Sequence, residues 1–130
     1  MGPNTSKSQP VNSIQDLLSQ LAKSNLQAKL PGKKSSGGSF SDLEIASVWN
    51  KAMAIPGYDM RFWRRDACGA AIYRSNYGLT VDTGWEIDHI TPVAHNGNND
   101  LANLQPLQWR NNRYKGDSLS LNYCVVPRRS

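Results

Sequence analysis

Two adjacent residues, Asp88 and His89, have side chains that together could carry out metal-assisted hydrolysis. A carboxylate is a hard oxygen donor that can hold a divalent cation, and a neutral imidazole beside it can accept a proton from water. Adjacent Asp and His also occur by chance in many chains, where they form a hydrogen-bonded structural pair. The case for chemistry must therefore come from the residues around them.

The stretch from residue 85 to residue 117 contains the elements that would position this pair. Its apolar and polar pattern predicts a strand at 87–90, a polar loop at 95–100, an apolar strand at 101–107 and a helix at 108–115. Pro92 ends the first strand and Gly116 ends the helix. The expected local fold is a β-hairpin packed on a helix.

Three short motifs in this stretch carry a resemblance to a known family. They are Asp88-His89-Ile90 with Pro92, then Asn103-Leu104-Gln105, then Asn112-Arg113-Tyr114-Lys115-Gly116-Asp117. In order and spacing they resemble the HNH endonuclease family. The likeness is specific over residues 85–117 and looser upstream from about Trp49. It implies an α+β fold with a ββα-metal core, or His-Me finger, to which this chain adds an N-terminal helix and a flexible tail.

The resemblance also implies a role for each matching residue. His89 takes the place of the general base and Asp88 that of the first metal ligand. Asn103 matches the middle Asn, which fixes the loop that orients the base, so it is expected to be a positioning residue. Asn111 and Asn112 are both candidates for the second metal ligand, and the nine-residue step from Asn103 favours Asn112.

The sequence departs from the family pattern in two ways that affect metal binding. Many relatives stabilise the motif with zinc bound to Cys-x-x-Cys pairs. This chain has no such pair, so no structural zinc is expected and side-chain packing must stabilise the motif instead. The four tryptophans Trp49, Trp63, Trp85 and Trp109 are candidates for that packing. Asn112 stands where many relatives have a final His, which leaves oxygen donors and favours Mg²⁺, with Mn²⁺ as the alternative.

Basic residues near aromatic ones are candidates for contacts with a nucleic acid backbone. Arg113 and Lys115 follow Asn112 on the predicted helix, where the alternative to phosphate binding is a solvated surface charge. The upstream candidates are Arg61, Arg64, Arg65 and Arg74, interleaved with Phe62, Trp63 and Tyr73. Glu86 either orients a ligand or is an ordinary surface carboxylate, and His95 is expected to be exposed.

The two cysteines, Cys68 and Cys124, are 56 positions apart. Because free cysteine behaves as a small hydrophobic residue, two buried thiols are the favoured interpretation. A disulfide between them stays open.

A helix is expected where the folded domain begins, near Phe40. Ser41 and Glu44 form a capping box, and the apolar face consists of Ile45, Val48, Trp49, Ala52 and Ile55. Pro56-Gly57 ends this helix. Short β-prone pieces follow at 71–74 and 79–81, with Gly78 and Gly84 marking turns.

The chain divides into a basic segment at 1–39 and a domain at 40–130. The segment carries five Lys and one Asp, a net charge of +4, against +1 for the domain. The spacing of Ile14, Leu17, Leu18 and Leu21 predicts a short amphipathic helix in this segment. The segment could contact delivery machinery or an immunity protein, or it could grip DNA.

Together these features predict a metal-dependent endonuclease that hydrolyses DNA with little sequence specificity. RNA stays open as a substrate, and the alternative is a non-catalytic nucleic-acid-binding module that retains the hairpin. The biological role would be that of a toxin effector or of a phage or restriction-type nuclease. Since neither an apolar stretch of about eighteen residues nor a secretory signal is present, we expect no membrane association. Synthesis in a bacterial cytoplasm is expected, with any delivery by a route that needs no signal peptide.

Overall fold

The computed structural model describes residues 38–128. The helix predicted around Ile14 to Leu21, and the other predictions for residues 1–37, lie outside the described residues.

The first helix, α1, spans Asp42–Trp49 and begins as predicted. Ser41 Oγ accepts a hydrogen bond from the Glu44 backbone N–H at 3.1 Å, and the Ser41 N–H donates to Glu44 Oε1 at 2.8 Å, which completes the capping box. The prediction that the helix continues to Ile55 is wrong. The chain leaves the helix at Asn50, because Met53 and Ala54 pair with a strand further along.

Three short strands form an antiparallel sheet in the order β1-β2-β3. They are β1 (Met53–Ala54), β2 (Trp63–Arg65) and β3 (Ala71–Tyr73). β3 confirms the β-prone piece at 71–74, although Arg74 already belongs to a short 3₁₀ turn. The piece predicted at 79–81 is not a strand.

A second sheet pairs β4 (Trp85–His89) with β5 (Leu104–Gln108) in antiparallel register. Helix α2 (Trp109–Lys115) follows β5 directly and packs against both strands. The order strand, loop, strand and helix is therefore the predicted one. Two helices and antiparallel strands also agree with the expected mixture of α and β structure.

The other face of this hairpin packs on the core. Trp85 is fully buried and contacts Trp49 and Tyr77, with ring centroids 5.3 and 4.9 Å apart. Ile87 and Leu104 belong to the same cluster. The hairpin thus lies between this cluster on one face and α2 on the other. Among the described residues, none of the helices is long and apolar enough to cross a membrane.

Cys68 and Cys124 form a disulfide, so the favoured interpretation of two free thiols is wrong. The chain turns back after α2 and brings Cys124 to the turn between β2 and β3. A backbone contact explains this path: Asn111 Oδ1 accepts hydrogen bonds from the N–H groups of Val125 at 2.9 Å and Val126 at 2.7 Å. The position of Cys124 depends on this contact between Asn111 and residues 125 and 126, which is distant from Cys68 in the sequence. The spacing of the two cysteines therefore could not show that they form a disulfide.

Candidate active site

Four buried polar side chains meet at the interface between β4 and α2. Glu86 and Asp88 are two positions apart on β4, so they share one face of the strand. Asn112 and Lys115 are three positions apart on α2, so they share one face of the helix. Asn112 Nδ2 donates to Glu86 Oε1 at 2.7 Å, and Lys115 Nζ donates to Asp88 Oδ1 at 3.1 Å. None of the four side chains is more than 4% exposed.

Asp88 is held at both carboxylate oxygens. Lys115 contacts Oδ1, and Gln105 Nε2 donates to Oδ2 at 2.8 Å from the position directly opposite on β5. Lys115 Nζ also donates to the backbone carbonyl of His89 at 2.9 Å. A buried carboxylate requires such compensation, since an unpaired charge in the interior is costly. Asp88 therefore lies in a fixed orientation with an ammonium group beside it.

Asn112 differs from its neighbour Asn111 in how its amide is used. Asn111 contacts the backbone of residues 125 and 126 through both amide atoms, and its Nδ2 also donates to Asp66 at 3.0 Å. Asn112 Nδ2 is held by Glu86, whereas Asn112 Oδ1 is buried with no hydrogen-bond partner. Since a buried polar atom normally has a partner, Asn112 Oδ1 is the atom that fits an oxygen ligand of a cation.

Glu86 is fully buried, so the interpretation of an ordinary surface carboxylate is wrong. Besides Asn112, it accepts hydrogen bonds from Arg113, at 2.6 Å from Nη2 to Oε2 and 3.2 Å from Nε to Oε1. Glu86 thereby fixes which way the Asn112 amide points. Burial, together with the negative charge of Glu86, raises the pKa of the Tyr77 hydroxyl well above its usual range.

His89 is the last residue of β4 and lies on the face opposite to Asp88. Its ring packs near Phe40, with centroids 6.1 Å apart, and Nε2 lies 2.9 Å from Asn99 Oδ1. An amide oxygen can only accept a hydrogen bond, so Nε2 carries the ring proton in this contact. In the neutral ring the basic lone pair is then on Nδ1.

Asn103 joins the two ends of the loop that connects β4 to β5. Its Oδ1 accepts from the Thr91 N–H at 2.8 Å, and its Nδ2 donates to the carbonyls of Thr91 at 3.1 Å and Asn98 at 2.9 Å. Asn98 precedes the residue that contacts His89. The amide of Asn103 thus holds the loop that carries Asn99.

The basic residues singled out in the sequence fall into two groups. Arg113 and Lys115 are paired with buried carboxylates, so neither is a solvated surface charge. Arg64 donates to the carbonyls of Met60, Asn50 and Ala52 at 2.8 to 3.3 Å and lies over the Trp49 ring. Arg65 donates to the Gly69 carbonyl at 2.9 Å.

Two of the remaining residues lie at the surface. Arg61 is exposed and pairs with Asp59, which lowers the pKa of that carboxyl group through a hydrogen bond. His95 is exposed, as expected. Arg74 is half-buried beside the β2–β3 sheet.

The strand, the helix and the buried side chains between them coincide with a family match over residues 68–118. The matching family is that of the HNH endonucleases. The comparisons with curated proteins and with solved structures gave no match. HNH nucleases act on nucleic acids and generally use a divalent metal.

The donor atoms at the interface between β4 and α2 fit a cation that prefers oxygen. Within residues 38–128, no group of three or more His, Cys, Asp or Glu side chains could hold a metal ion. The donors that fit are the Asp88 carboxylate and the buried Asn112 Oδ1. A site with two protein oxygens, completed by water and phosphate, is the arrangement that Mg²⁺ tolerates.

Sequence reasoning gave no role to Asn99, Gln105 and Asp66. Gln105 could have been found from the strand register, because it stands opposite Asp88. Asp66 accepts hydrogen bonds from the backbone N–H of Gln108 and from Asn111, 42 and 45 positions away. Asn99 lies in a polar loop with several other amides, where no local signal distinguishes it.

Proposed function

We propose that the chain is a metal-dependent endonuclease that hydrolyses phosphodiester bonds in DNA with little sequence specificity. The observation that carries the proposal is the Asn112 amide: Glu86 fixes its nitrogen, and its oxygen is buried without a partner at the interface that also holds Asp88. Asn76 Oδ1 is also buried without a partner, but of these two asparagines it is Asn112 that lies on the helix that packs against Asp88. In this proposal β4, β5 and α2 form the ββα-metal core.

Asp88 and Asn112 would hold the cation, and both contribute oxygen, which favours Mg²⁺ or Mn²⁺ over Zn²⁺. When bound, a divalent cation supplies positive charge beside the phosphate. The residues themselves prepare that position. Glu86 orients Asn112, while Gln105 and Lys115 orient Asp88.

His89 acts as the general base. Asn99 keeps the ring proton on Nε2, so that Nδ1 accepts a proton from the attacking water. Asn103 holds the loop in which Asn99 lies. Because His89 and Asp88 leave β4 on opposite faces, the scissile phosphate has to lie across the end of the strand, where both can reach it. The products expected from the family resemblance carry a 5′ phosphate and a 3′ hydroxyl.

DNA is the proposed partner, bound mainly through its phosphates. Arg65 lies on β2, Arg74 lies in the 3₁₀ turn that follows β3, and Arg64 stabilises the sheet through backbone carbonyls. Contacts to phosphates position a nucleic acid without specifying its bases, which supports low sequence specificity.

A nicking assay on supercoiled plasmid tests the proposed function. We expect cleavage by the wild-type protein with Mg²⁺ or Mn²⁺, none with EDTA, and loss of cleavage in His89→Ala. The exposed His95→Ala is the matched control, and it should cleave like the wild type. Tight DNA binding without cleavage at any metal concentration would instead identify a non-catalytic nucleic-acid-binding module.

We further propose that the protein acts outside a reducing cytosol after synthesis in bacteria. Disulfides persist mainly in oxidising compartments, and this domain contains one. This supports a delivered toxin effector, with residues 1–39 as the contact for delivery machinery or an immunity protein. Deleting residues 1–39 tests the assignment. If they contact a protein partner, cleavage at low salt should not change; if they grip DNA, the deletion should reduce cleavage.

A further inference from the structure

The C-terminal part of the described residues contacts both sides of the candidate active site. Tyr123, Cys124, Val125 and Val126 are consecutive, and each makes a long-range contact. By contrast, the contacts made by the backbone N–H groups of Ser118, Ser120 and Asn122 are local, and Leu119 and Leu121 are exposed. Within residues 118–126, it is therefore residues 123–126 that attach this part of the chain to the rest of the domain.

One of these contacts leads to Asp88. Gln105 Nε2 carries two protons, and it donates to Asp88 Oδ2 at 2.8 Å and to the Tyr123 hydroxyl at 3.4 Å. The tyrosine thus lies against the amide that orients the carboxylate. If Tyr123 moved away, the Gln105 amide nitrogen would lose one of its two hydrogen-bond partners.

Two other contacts lead to the helix that carries Asn112. The backbone of Val125 and Val126 is bound by the Asn111 amide, and the Asn111 Nδ2 also donates to Asp66. Asp66 in turn accepts from the Gln108 N–H at the start of α2. Residues 125 and 126 thereby help to fix the first turns of the helix, next to Asn112.

The disulfide joins this segment to the turn between β2 and β3. Cys124 lies between Tyr123 and Val125, so its bond to Cys68 holds the contacts on both sides of it. Arg128 packs closely on the same turn, since a Cβ at Gly69 would be 2.8 Å from Arg128 Cβ. Residues 118–128 contain neither helix nor strand, so side-chain contacts and the disulfide have to hold them in place.

We propose that residues 123–126 form a positioning segment for Asp88 and Asn112, and that the Cys68–Cys124 disulfide is required to hold it. The inference rests on the proposed function, since it concerns the same metal ligands. Reduction by a dithiol breaks the Sγ–Sγ bond: two cysteine thiols form, and the two thiols of the reagent become a disulfide. Cys124 is exposed, so a reagent can reach it.

Binding of Mn²⁺ to the full chain, measured by electron paramagnetic resonance, tests the proposal. Residues that hold metal ligands through hydrogen bonds typically change metal affinity by about 10- to 100-fold. We expect dithiothreitol to weaken Mn²⁺ binding about tenfold, and the Cys68→Ser/Cys124→Ser variant to bind as weakly with or without the reagent. Near-ultraviolet circular dichroism of the tryptophans should be unchanged. An equal Mn²⁺ affinity in the oxidised and reduced protein would overturn the proposal.

Two tyrosine variants keep the test independent of folding without the disulfide. Tyr123→Ala leaves both cysteines in place and should also weaken Mn²⁺ binding, whereas Tyr114→Ala, at an exposed position on α2, should not. Equal Mn²⁺ binding by these two variants would also contradict the proposal. Plasmid cleavage by the oxidised wild type separates the two claims. If it cleaves but reduction leaves Mn²⁺ binding unchanged, only the positioning role fails; if it neither cleaves nor binds Mn²⁺, both fail.

Discussion

Lys115 donates a hydrogen bond to Asp88 across the interface between α2 and β4, with 3.1 Å between Nζ and Oδ1. Both side chains are buried, so the ammonium compensates a carboxylate that water does not reach. A divalent cation bound to Asp88 would share the carboxylate with this ammonium. In the proposed function, Lys115 would therefore lower the affinity of Asp88 for metal, and it stabilises the buried carboxylate in the absence of metal.

Replacing Lys115 by Met should make the fold depend on metal. Removing one partner of a buried ion pair typically costs about 3 to 5 kcal/mol, so the metal-free variant should unfold at a lower temperature than the wild type. Mn²⁺ should then raise the melting temperature more in Lys115→Met than in the wild type, because it replaces the missing charge. Thermal denaturation with and without Mn²⁺ measures both effects.

The matched control is Arg110→Met, on the exposed side of the same helix. Its melting temperature should respond to Mn²⁺ as that of the wild type does. An equal Mn²⁺ response in Lys115→Met and Arg110→Met would show that Lys115 and the metal do not share Asp88.

Asn111→Ala and Asn112→Ala should differ in their main effect. Asn112→Ala removes the unpartnered oxygen, so Mn²⁺ binding and plasmid cleavage should be lost while the fold is kept. Asn111→Ala removes the amide that binds residues 125 and 126, and each part-buried hydrogen bond that is lost costs about 1 kcal/mol. Its main effect should be a lower free energy of unfolding, measured with urea, and because it releases residues 125 and 126 it should weaken Mn²⁺ binding without abolishing it. Loss of Mn²⁺ binding in Asn111→Ala alone would reverse the assignment.

The hairpin and the second helix could be predicted because their signals are local. Alternation, Pro92 and Gly116 are all visible within a few residues of the elements they bound. The end of α1 has no such local signal in the sequence. Apolar residues continue at helical spacing to Ile55, but strand pairing between Ala54 and Arg64 overrides that pattern.

The candidate site could be predicted as a set of residues but not as a set of contacts. Asp88, His89 and Asn112 stand out by motif, whereas the pairs Glu86–Arg113 and Asp88–Lys115 depend on how α2 lies against β4. Both pairs join residues 27 positions apart. The disulfide was missed for the same reason, since the backbone contacts of Asn111 decide where Cys124 lies.

Glu86→Gln should destabilise the domain and loosen Asn112. Arg113 would lose the charge that compensates it, which typically costs about 3 to 5 kcal/mol for a buried pair. Asp82→Asn is the control, because Asp82 is exposed and lies 3.8 Å from Arg110. Such surface pairs contribute about 1 kcal/mol or less, so urea denaturation should separate the two variants clearly. A similar free energy of unfolding for both would show that the Glu86–Arg113 pair contributes little to stability.

Asn99→Ala should reduce cleavage without unfolding the domain. It removes the acceptor for the His89 Nε2 proton, so less of the neutral ring should carry its proton there. Nitrogen chemical shifts of a ¹⁵N-labelled histidine distinguish the two tautomers. We expect the Nε2-protonated form to dominate in the wild type and to decrease in Asn99→Ala, with the reaction rate falling in parallel. Asn98→Ala, one position earlier, removes a side chain that accepts a hydrogen bond from the Asp100 backbone N–H, and it should leave the tautomer unchanged.

Arg64 and Arg74 should separate stability from DNA binding. Arg64→Ala removes a guanidinium that is bonded to three backbone carbonyls, so it should lower the free energy of unfolding by about 1.5 to 3 kcal/mol. Arg74→Ala should leave stability nearly unchanged but weaken DNA binding. If Arg74 contacts one phosphate, the slope of log affinity against log salt concentration should become shallower by about one unit. Fluorescence anisotropy with a labelled duplex at several salt concentrations measures this slope, and an unchanged slope would remove Arg74 from the interface.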